Sequence, residues 1–331
     1  MSVVAFDGAC FGDGPITGVG RAFVSGLRAY SEIAPHACVL LVPEGAQLEE
    51  LADLQQVPAP RGWLRRQRTL PRILRRLRAR LLHSSVASVP LTSPCPTIAT
   101  AHDLPWLHPA CGERTGWWRR FATTRALRSA ALVIAPSTMT RDDARGLLTG
   151  ASAVALVPHG VPPPAGPTPD EAGRRGAFLI LGDDRPRKNR ALVREGYARF
   201  VRGREDAPPL RFVGPPDDYV DEAEKARLLR SCRAVVHASR FEGFGLPVLE
   251  ALAHGAPVVC SDLPSLRELA GDTPRYVDPA DPASIAAGLA AVHDDPRERA
   301  RQVAEGPARA AAMTPAAVAA AWLRLHEELL R

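Results

Sequence analysis

The chain of 331 residues is long enough for two domains that each bury a core, and its 46% apolar and 24% charged residues are ordinary for a globular protein. No apolar run approaches the ~18 residues that cross a bilayer, and the start, Met-Ser-Val-Val-Ala-Phe-Asp, lacks the basic and apolar regions of a signal peptide. Six cysteines (Cys10, Cys38, Cys95, Cys111, Cys232, Cys260) form no Cys-x-x-Cys pair and lie near no histidine at ligand spacing; that argues against a zinc module and reads as reduced core thiols of a cytoplasmic protein. The net charge of +6 is local: residues 61–80, RGWLRRQRTLPRILRRLRAR, hold nine Arg and no acid, so the rest of the chain carries −3.

Along the chain, short apolar runs rich in β-branched residues alternate with helical stretches. Strands are expected at 3–6, 38–42, 97–101, Leu132–Ala135, 153–157, Phe178–Leu181, Leu210–Val213, 234–238 and 257–260, with helices such as Trp117–Ser129 and Glu222–Ser231 between them. Several of these runs are apolar throughout, as parallel strands covered on both faces are. Strand-helix-strand alternation then gives an α/β doubly wound sheet. The proline-rich run 161–169 can continue neither a helix nor a central strand, so it divides the chain into domains 1–163 and 164–331. The end reads as one helix, capped by Thr314 with Pro315 in its first turn, and able to cross back to the first domain.

Residues 234–260 form a strand-loop-helix-strand unit. Its loop carries Glu242, Gly243 and Gly245, Pro247 opens the helix, Glu250 lies about one turn in, and Gly255 closes it. In such sheets ligands bind at the carboxyl ends of strands. The amides of Phe244, Gly245 and Leu246 lie at the positive end of that helix, where an anion or a hydroxyl-rich ligand is well received. Two carboxylates beside them suit sugar and ribose hydroxyls, although either acid alone would pass for an ordinary surface residue.

The whole run, E-G-F-G-L-P-V-L-E-A-L-A-x-G-x-P-V-V, resembles the E-x7-E signature of the family-four retaining glycosyltransferases of GT-B fold. The resemblance implies two Rossmann-like domains facing across a cleft that holds a nucleotide-sugar donor. By position, Glu250 would hold the ribose hydroxyls, while Glu242 and the amides of Phe244, Gly245 and Leu246 would hold the transferred sugar. Pro186-Arg187-Lys188-Asn189 is similar to a family segment whose basic residues neutralise the leaving diphosphate. Thr17-Gly18-Val19-Gly20-Arg21 resembles the glycine loop that approaches the donor phosphates. Thr100-Ala-His102-Asp-Leu104 resembles a segment whose histidine lies near the reacting sugar. Ser137-Thr-Met-Thr140 and Pro158-His-Gly160 match further landmarks, read here as architectural.

Two departures qualify the resemblance. Asp183-Asp184 puts acids beside the basic segment, where they weaken diphosphate binding unless they pair with Arg185 or point away. The second domain also runs from 210–214 directly into the helix at 221–231, one strand-helix unit shorter than relatives. The implied activity is metal-independent transfer of a hexose, mannose first, with retention, to a glycan or lipid-linked acceptor in cell-surface polysaccharide or glycolipid synthesis. No cofactor is expected; the donor is GDP-mannose first and a UDP-sugar second. A catalytically silent sugar-nucleotide-binding or scaffold subunit at the membrane surface is the alternative. A sugar-nucleotide epimerase lacks the E-x7-E run, and a nucleic-acid binder leaves it unexplained. In residues 61–80, Ile73, Leu74, Leu77 and Leu81 fall at helical spacing after Pro71, which predicts an amphipathic helix docking on an anionic membrane from the cytoplasmic side, against the plainer reading of a helix packed on its own domain.

Overall fold

A computed structural model describes residues 2–12, 14, 16–148, 153–166, 169–170 and 172–331. In chain order the elements are β1 (Val3–Asp7), α1 (Gly18–Ile33), β2 (Ala37–Pro43), β3 (Gln55–Ala59), α2 (Trp63–Leu77), β4 (Ala79–Ser84), β5 (Thr97–Thr100), α3 (Trp117–Ser129), β6 (Leu132–Ala135), α4 (Thr138–Leu147) and β7 (Ala153–Leu156). They continue with β8 (Phe178–Leu181), α5 (Arg190–Phe200), β9 (Leu210–Val213), α6 (Glu222–Ser231), β10 (Ala234–His237), α7 (Leu246–Ala253), β11 (Val258–Ser261), α8 (Pro264–Ala270), β12 (Arg275–Val277), α9 (Pro282–Asp294), α10 (Pro296–Ala310) and α11 (Pro315–Leu330).

The chain forms two compact units, the first from 1–104, 115–160 and 313–331, the second from 105–114 and 161–312. Two segments therefore depart from a simple division at 163/164: residues 105–114 belong to the second unit and α11 to the first. Pro167 and Thr168 of the proline-rich run lie outside the described residues.

The first unit has a seven-stranded parallel sheet in the order β3-β2-β1-β4-β5-β6-β7. Its core is aromatic: Phe6, Phe23, Tyr30 and Trp322 pack together, which fastens α11 against α1. Two strands of this unit escape the sequence reading, as the short edge strand β12 does in the second unit. β3 is a polar edge strand, Gln-Gln-Val-Pro-Ala. β4 begins just after the Arg-rich helix, where Arg78 turns the chain through a left-handed residue at φ 53. Arg carries no glycine-like signal for such a turn, so the helical spacing through Leu81 misleads: Leu81 is a buried strand residue beside β1. The helix itself starts before Pro71, at Trp63.

The second unit has a five-stranded parallel sheet in the order β12-β11-β10-β8-β9. From β8 the chain moves outward to β9, then returns through α6 to β10 on the other side of β8. The strand order thus reverses between β8 and β10, and a doubly wound sheet opens its ligand crevice at the carboxyl ends of such a pair. The loops that follow these two strands, 182–189 and 238–245, carry both acid-glycine and basic motifs of the second unit. Phe178, Val236, Val259 and Ile285 fill the core below them.

Candidate functional site

The structure brings Glu242 and Lys188 together across 54 residues of sequence. Lys188 Nζ donates to Glu242 Oε1 at 2.7 Å, and His237 Nε2 lies 3.0 Å from the same oxygen. Glu242 is buried, and burial alone would raise its pKa; Lys188, His237 and Arg187 outweigh that and hold the carboxyl well below its usual range. His237, at the end of β10, is lowered by burial despite the neighbouring carboxylate, so near neutral pH it is an uncharged donor. Ser265 Oγ donates to the Glu242 carbonyl at 2.6 Å and fixes the loop from behind. The result is one preformed carboxylate whose charge, tautomeric partner and backbone are all set by named groups.

Gly245 ends this loop as the N-cap of α7 at φ +106, with Leu246 as the first helical residue. A Cβ at Gly245 would lie 2.4 Å from Leu266 Cδ2, so both the backbone angle and the packing require glycine. Phe244 is buried beside it. Within α7, Glu250 meets a partner that the sequence did not announce: Lys225 of α6 donates to Glu250 Oε1 at 2.7 Å and lies 2.9 Å from Glu222. Arg174, with no exposure at all, donates to the carbonyls of Leu229 and His254 at 2.9 and 2.7 Å. A buried cation thereby satisfies the carboxyl ends of both helices and sets α6 and α7 in register.

The basic loop after β8 is equally tied down. Arg187 is buried and lies 3.2 Å from Glu113, while Arg185 pairs with Asp183 at 2.9 Å. Asp184 lies 3.8 Å from Arg190, which also pairs with Asp217. The two acids that threatened a diphosphate are therefore matched by cations of their own. Asn189 adopts φ 59 and spends its amide internally: it donates to Ala238 O at 2.9 Å and Pro279 O at 2.7 Å, and accepts from Arg240 Nε at 3.1 Å. Its observed work is to brace the loops after β8 and β10 against each other. Glu113 comes from residues 105–114, whose His108 stacks on Phe241 at 4.6 Å. No local pattern tells this segment from an ordinary connection.

Gly18, Gly20 and His102 lie in the first unit. Gly18 starts α1, and the Thr17 hydroxyl accepts from Gly20 N at 3.3 Å. A Cβ at Gly20 would meet Ile16 at 2.7 Å, so close packing also demands this glycine. His102 Nε2 lies 2.6 Å from the Ser85 carbonyl, which can only accept, so the ring proton is on Nε2. Its Nδ1 then accepts from His159 Nε2 at 3.1 Å. Both ring nitrogens of His102 are used inside the protein, and burial lowers both histidines, His159 to about 3. Proton transfer to a sugar is therefore not the role this geometry gives His102. His159 belonged to a landmark read as architectural, and it proves to be the partner that orients His102.

The Arg-rich helix also resolves into parts. Arg66 is buried against Asp7 at the end of β1, and Leu70 and Leu74 are core residues with Ile73 and Leu77 packed against them. The apolar stripe of α2 thus faces its own domain. Arg65, Arg68, Arg72, Arg75, Arg76, Arg78 and Arg80 remain exposed. Among the described residues no group of three or more metal-ligating side chains converges, and no helix is long and apolar enough to cross a membrane.

Comparison with known proteins agrees with the fold. Residues 218–309 match the family described as glycosyl transferases group 1, and residues 16–163 match glycosyltransferase family 4. The O-antigen chain mannosyltransferase B of Escherichia coli is 39% identical over 101 residues, 30% of this chain and 26% of that protein. A phosphatidyl-myo-inositol mannosyltransferase of Mycolicibacterium smegmatis is 33% identical over 176 residues, 45% of this chain and 44% of that protein. The matches thus span less than half the length of these relatives. Among solved structures, sucrose-phosphate synthase from Thermosynechococcus elongatus aligns with a TM-score of 0.75 at 16% identity, covering 99% of both chains. HepE of Anabaena, solved with UDP and glucose, aligns at 0.75 and 15% identity over 99% of this chain and 100% of that one. Two Rossmann-like units, the second with an acid-glycine loop at its switch point, make this the GT-B fold. The two family models match separate parts of the chain, one in each half, and in both the chain is similar to the family-four-like glycosyltransferases.

Proposed function

We propose that this protein transfers a hexose, mannose first, from a nucleoside-diphosphate sugar to a glycan or lipid-linked acceptor, with retention at the anomeric carbon. The observation that carries the reading is the Lys188–Glu242 pair, which joins the loops after β8 and β10 at the reversal of strand order. In this reading Glu250 takes the ribose hydroxyls. Glu242 and the first turn of α7 take the sugar. Arg187 and Lys188 stabilise the departing diphosphate through charge-assisted contacts, so no metal is called on. The sugar passes through an oxocarbenium-like state, and the leaving phosphate takes the acceptor proton. The names of the curated relatives support mannose, hence GDP-mannose, while the UDP and glucose bound by HepE keep a UDP-sugar second.

The test is a calorimetric binding screen of nucleotide sugars, followed by donor hydrolysis and acceptor trials with the preferred one. Binding of one nucleotide sugar with turnover supports the enzyme. Binding without hydrolysis or transfer favours a silent sugar-nucleotide-binding subunit, and no binding overturns both.

A further inference from the structure

Helix α3 is inverted. It buries Ala122, Ala126 and Leu127 and turns its aromatic side chains to solvent: Trp117 is 76% exposed, Phe121 47% and Trp118 42%. Spacings of three and four residues put these rings on one face. They touch one another: Trp117 and Trp118 meet edge to face at 5.6 Å, and Trp118 stacks on Phe121 at 5.7 Å. The start of α2 extends the cluster, for Trp63 meets Trp118 edge to face at 5.4 Å and Leu64 is 68% exposed. Exposing three large aromatic rings while two of the three buried positions are alanine forfeits much of the hydrophobic gain that usually orients a helix. A contiguous exposed patch of this kind marks a surface that something else covers.

The charge around the patch says what covers it. From Leu64 the same face of α2 continues through Arg68, Arg72, Arg75 and Arg76, all exposed. On α3 the rings are interleaved with exposed Arg119, Arg120, Arg125 and Arg128. Residues 61–80 and 114–141 contain no acid. A second copy of the chain would bring two such arginine fields together, which disfavours self-association. Tryptophan rings with a polar edge, flanked by arginines that reach past them, suit the headgroup level of a bilayer.

We propose that α3 and the start of α2 form a membrane-docking surface. Trp117, Trp118 and Phe121 enter the interface of an anionic bilayer, and the arginines of α2 and α3 bind its headgroups. The apolar stripe of α2, turned into its own domain, plays no part. This inference stands apart from the donor chemistry of the second unit.

The experiment uses the full chain and floated vesicles of phosphatidylcholine with and without phosphatidylglycerol, at low and high salt. Binding is expected to the anionic vesicles only and to weaken sharply with salt, because exposed charges are screened beyond about 8 Å at physiological ionic strength. Replacing Arg68, Arg72, Arg119 and Arg120 by Gln is expected to weaken binding at least about thirtyfold. The aromatic variant Trp117→Ser, Trp118→Ser, Phe121→Ser is expected to weaken it about tenfold or more. Brominated lipid should quench the parent's tryptophan fluorescence and lose most of that effect in Trp117→Phe, Trp118→Phe. Circular dichroism checks that each variant is folded, and donor hydrolysis in solution should stay unchanged in all of them. Failure of the parent to bind anionic vesicles at low salt overturns the proposal. So does full binding by the aromatic variant, which would leave only charge adhesion, or capture of an acidic protein through this patch by a chain that ignores lipid.

Discussion

Removing the Lys188 ammonium tests how the candidate sugar-binding carboxylate is held. Lys188 and Glu242 side chains are only 10% and 7% exposed, with N and O 2.7 Å apart. At an effective dielectric constant near 20 their gross attraction is about 6 kcal/mol. Part of that offsets the desolvation of both groups, so Lys188→Met should destabilise the second unit by about 3 kcal/mol at pH 7.5, as an uncompensated buried charge does. In the parent, Glu242 is held well below the ordinary glutamate value of 4.5, so its stabilising contribution is complete above that pH and lost only as pH falls through the folded value. In the variant the largest influence opposing burial is gone and only His237 and Arg187 remain, so the folded value rises relative to the parent and acidification, protonating Glu242 or His237, relieves the defect. The parent–variant gap should therefore shrink between pH 7.5 and 5. Adding Glu242→Gln removes the orphan charge and should return the protein to within about 1 kcal/mol of the parent. Hydrogen exchange of β10 and β11 reports the second unit by itself. A Lys188→Met protein as protected as the parent, or a gap that ignores pH, refutes the buried clamp.

Four other expectations are open to direct measurement. Glu250→Ala should abolish donor binding by calorimetry and, because it leaves Lys225 with Glu222 alone, cost about 1–2 kcal/mol by urea denaturation. That exceeds the cost of trimming an ordinary helix-surface acid. Gly245→Ala should cost about 2 kcal/mol or more and remove donor binding, since φ +106 and the Leu266 contact both oppose a side chain. His83, His159 and His326 are kept neutral by burial, the last two lowered to about 3 from 6.5, so their contribution is intact above about pH 6.5 and lost as pH falls toward 3. Unfolding free energies from urea titrations should fall between about pH 6.5 and 5 by up to about 1.4 kcal/mol per pH unit for each such histidine, and a flat profile would count against it. Turnover should survive EDTA but not Arg187→Ala with Lys188→Ala; an absolute need for Mg²⁺ or Mn²⁺ would oppose the cationic reading.

Much of the fold is legible because parallel strands are apolar throughout and proline and glycine punctuate them. Leu132–Ala135, Phe178–Leu181 and Leu210–Val213 fall where their composition puts them. The failures have local causes. β4 hides because Arg78 takes a left-handed turn without glycine, and β3 because an edge strand tolerates Gln and Pro. In the site, the acid-glycine loop and the basic loop were legible as motifs, but their partners were not. Lys225, His237, Glu113 and Arg174 reach their places through tertiary packing, and none stands at a spacing that points to Glu250, Glu242 or Arg187. The helix Trp117–Ser129 was legible, but the exposure of Trp117 and Trp118, which separates it from a core helix, was not.

The charge pattern of the second unit bears on how a donor enters. Four cations of the loop after β8 and the start of α5 already have an acid: Arg185 with Asp183, Arg187 with Glu113, Lys188 with Glu242, Arg190 with Asp184 and Asp217. Burial works against the Asp183 carboxylate, yet Arg185 outweighs it and keeps it ionised. A diphosphate arriving here exchanges partners with groups that are already paired, so its net gain is the difference between two sets of contacts. Those contacts differ in how readily they yield. Lys188–Glu242 is buried, doubly supported by His237, and costly to break. Arg185–Asp183 is half-exposed and worth little. Arg187–Glu113 lies between, since Arg187 is buried but its acid comes from the short segment 105–114. Exchange should therefore begin at Arg185 and Arg187, while Lys188, whose ammonium has three N–H donors, keeps its bond to Glu242 and adds the diphosphate as a further partner. That division suits the proposed roles, in which the diphosphate needs cations that can turn toward it and the sugar needs a carboxylate that does not move.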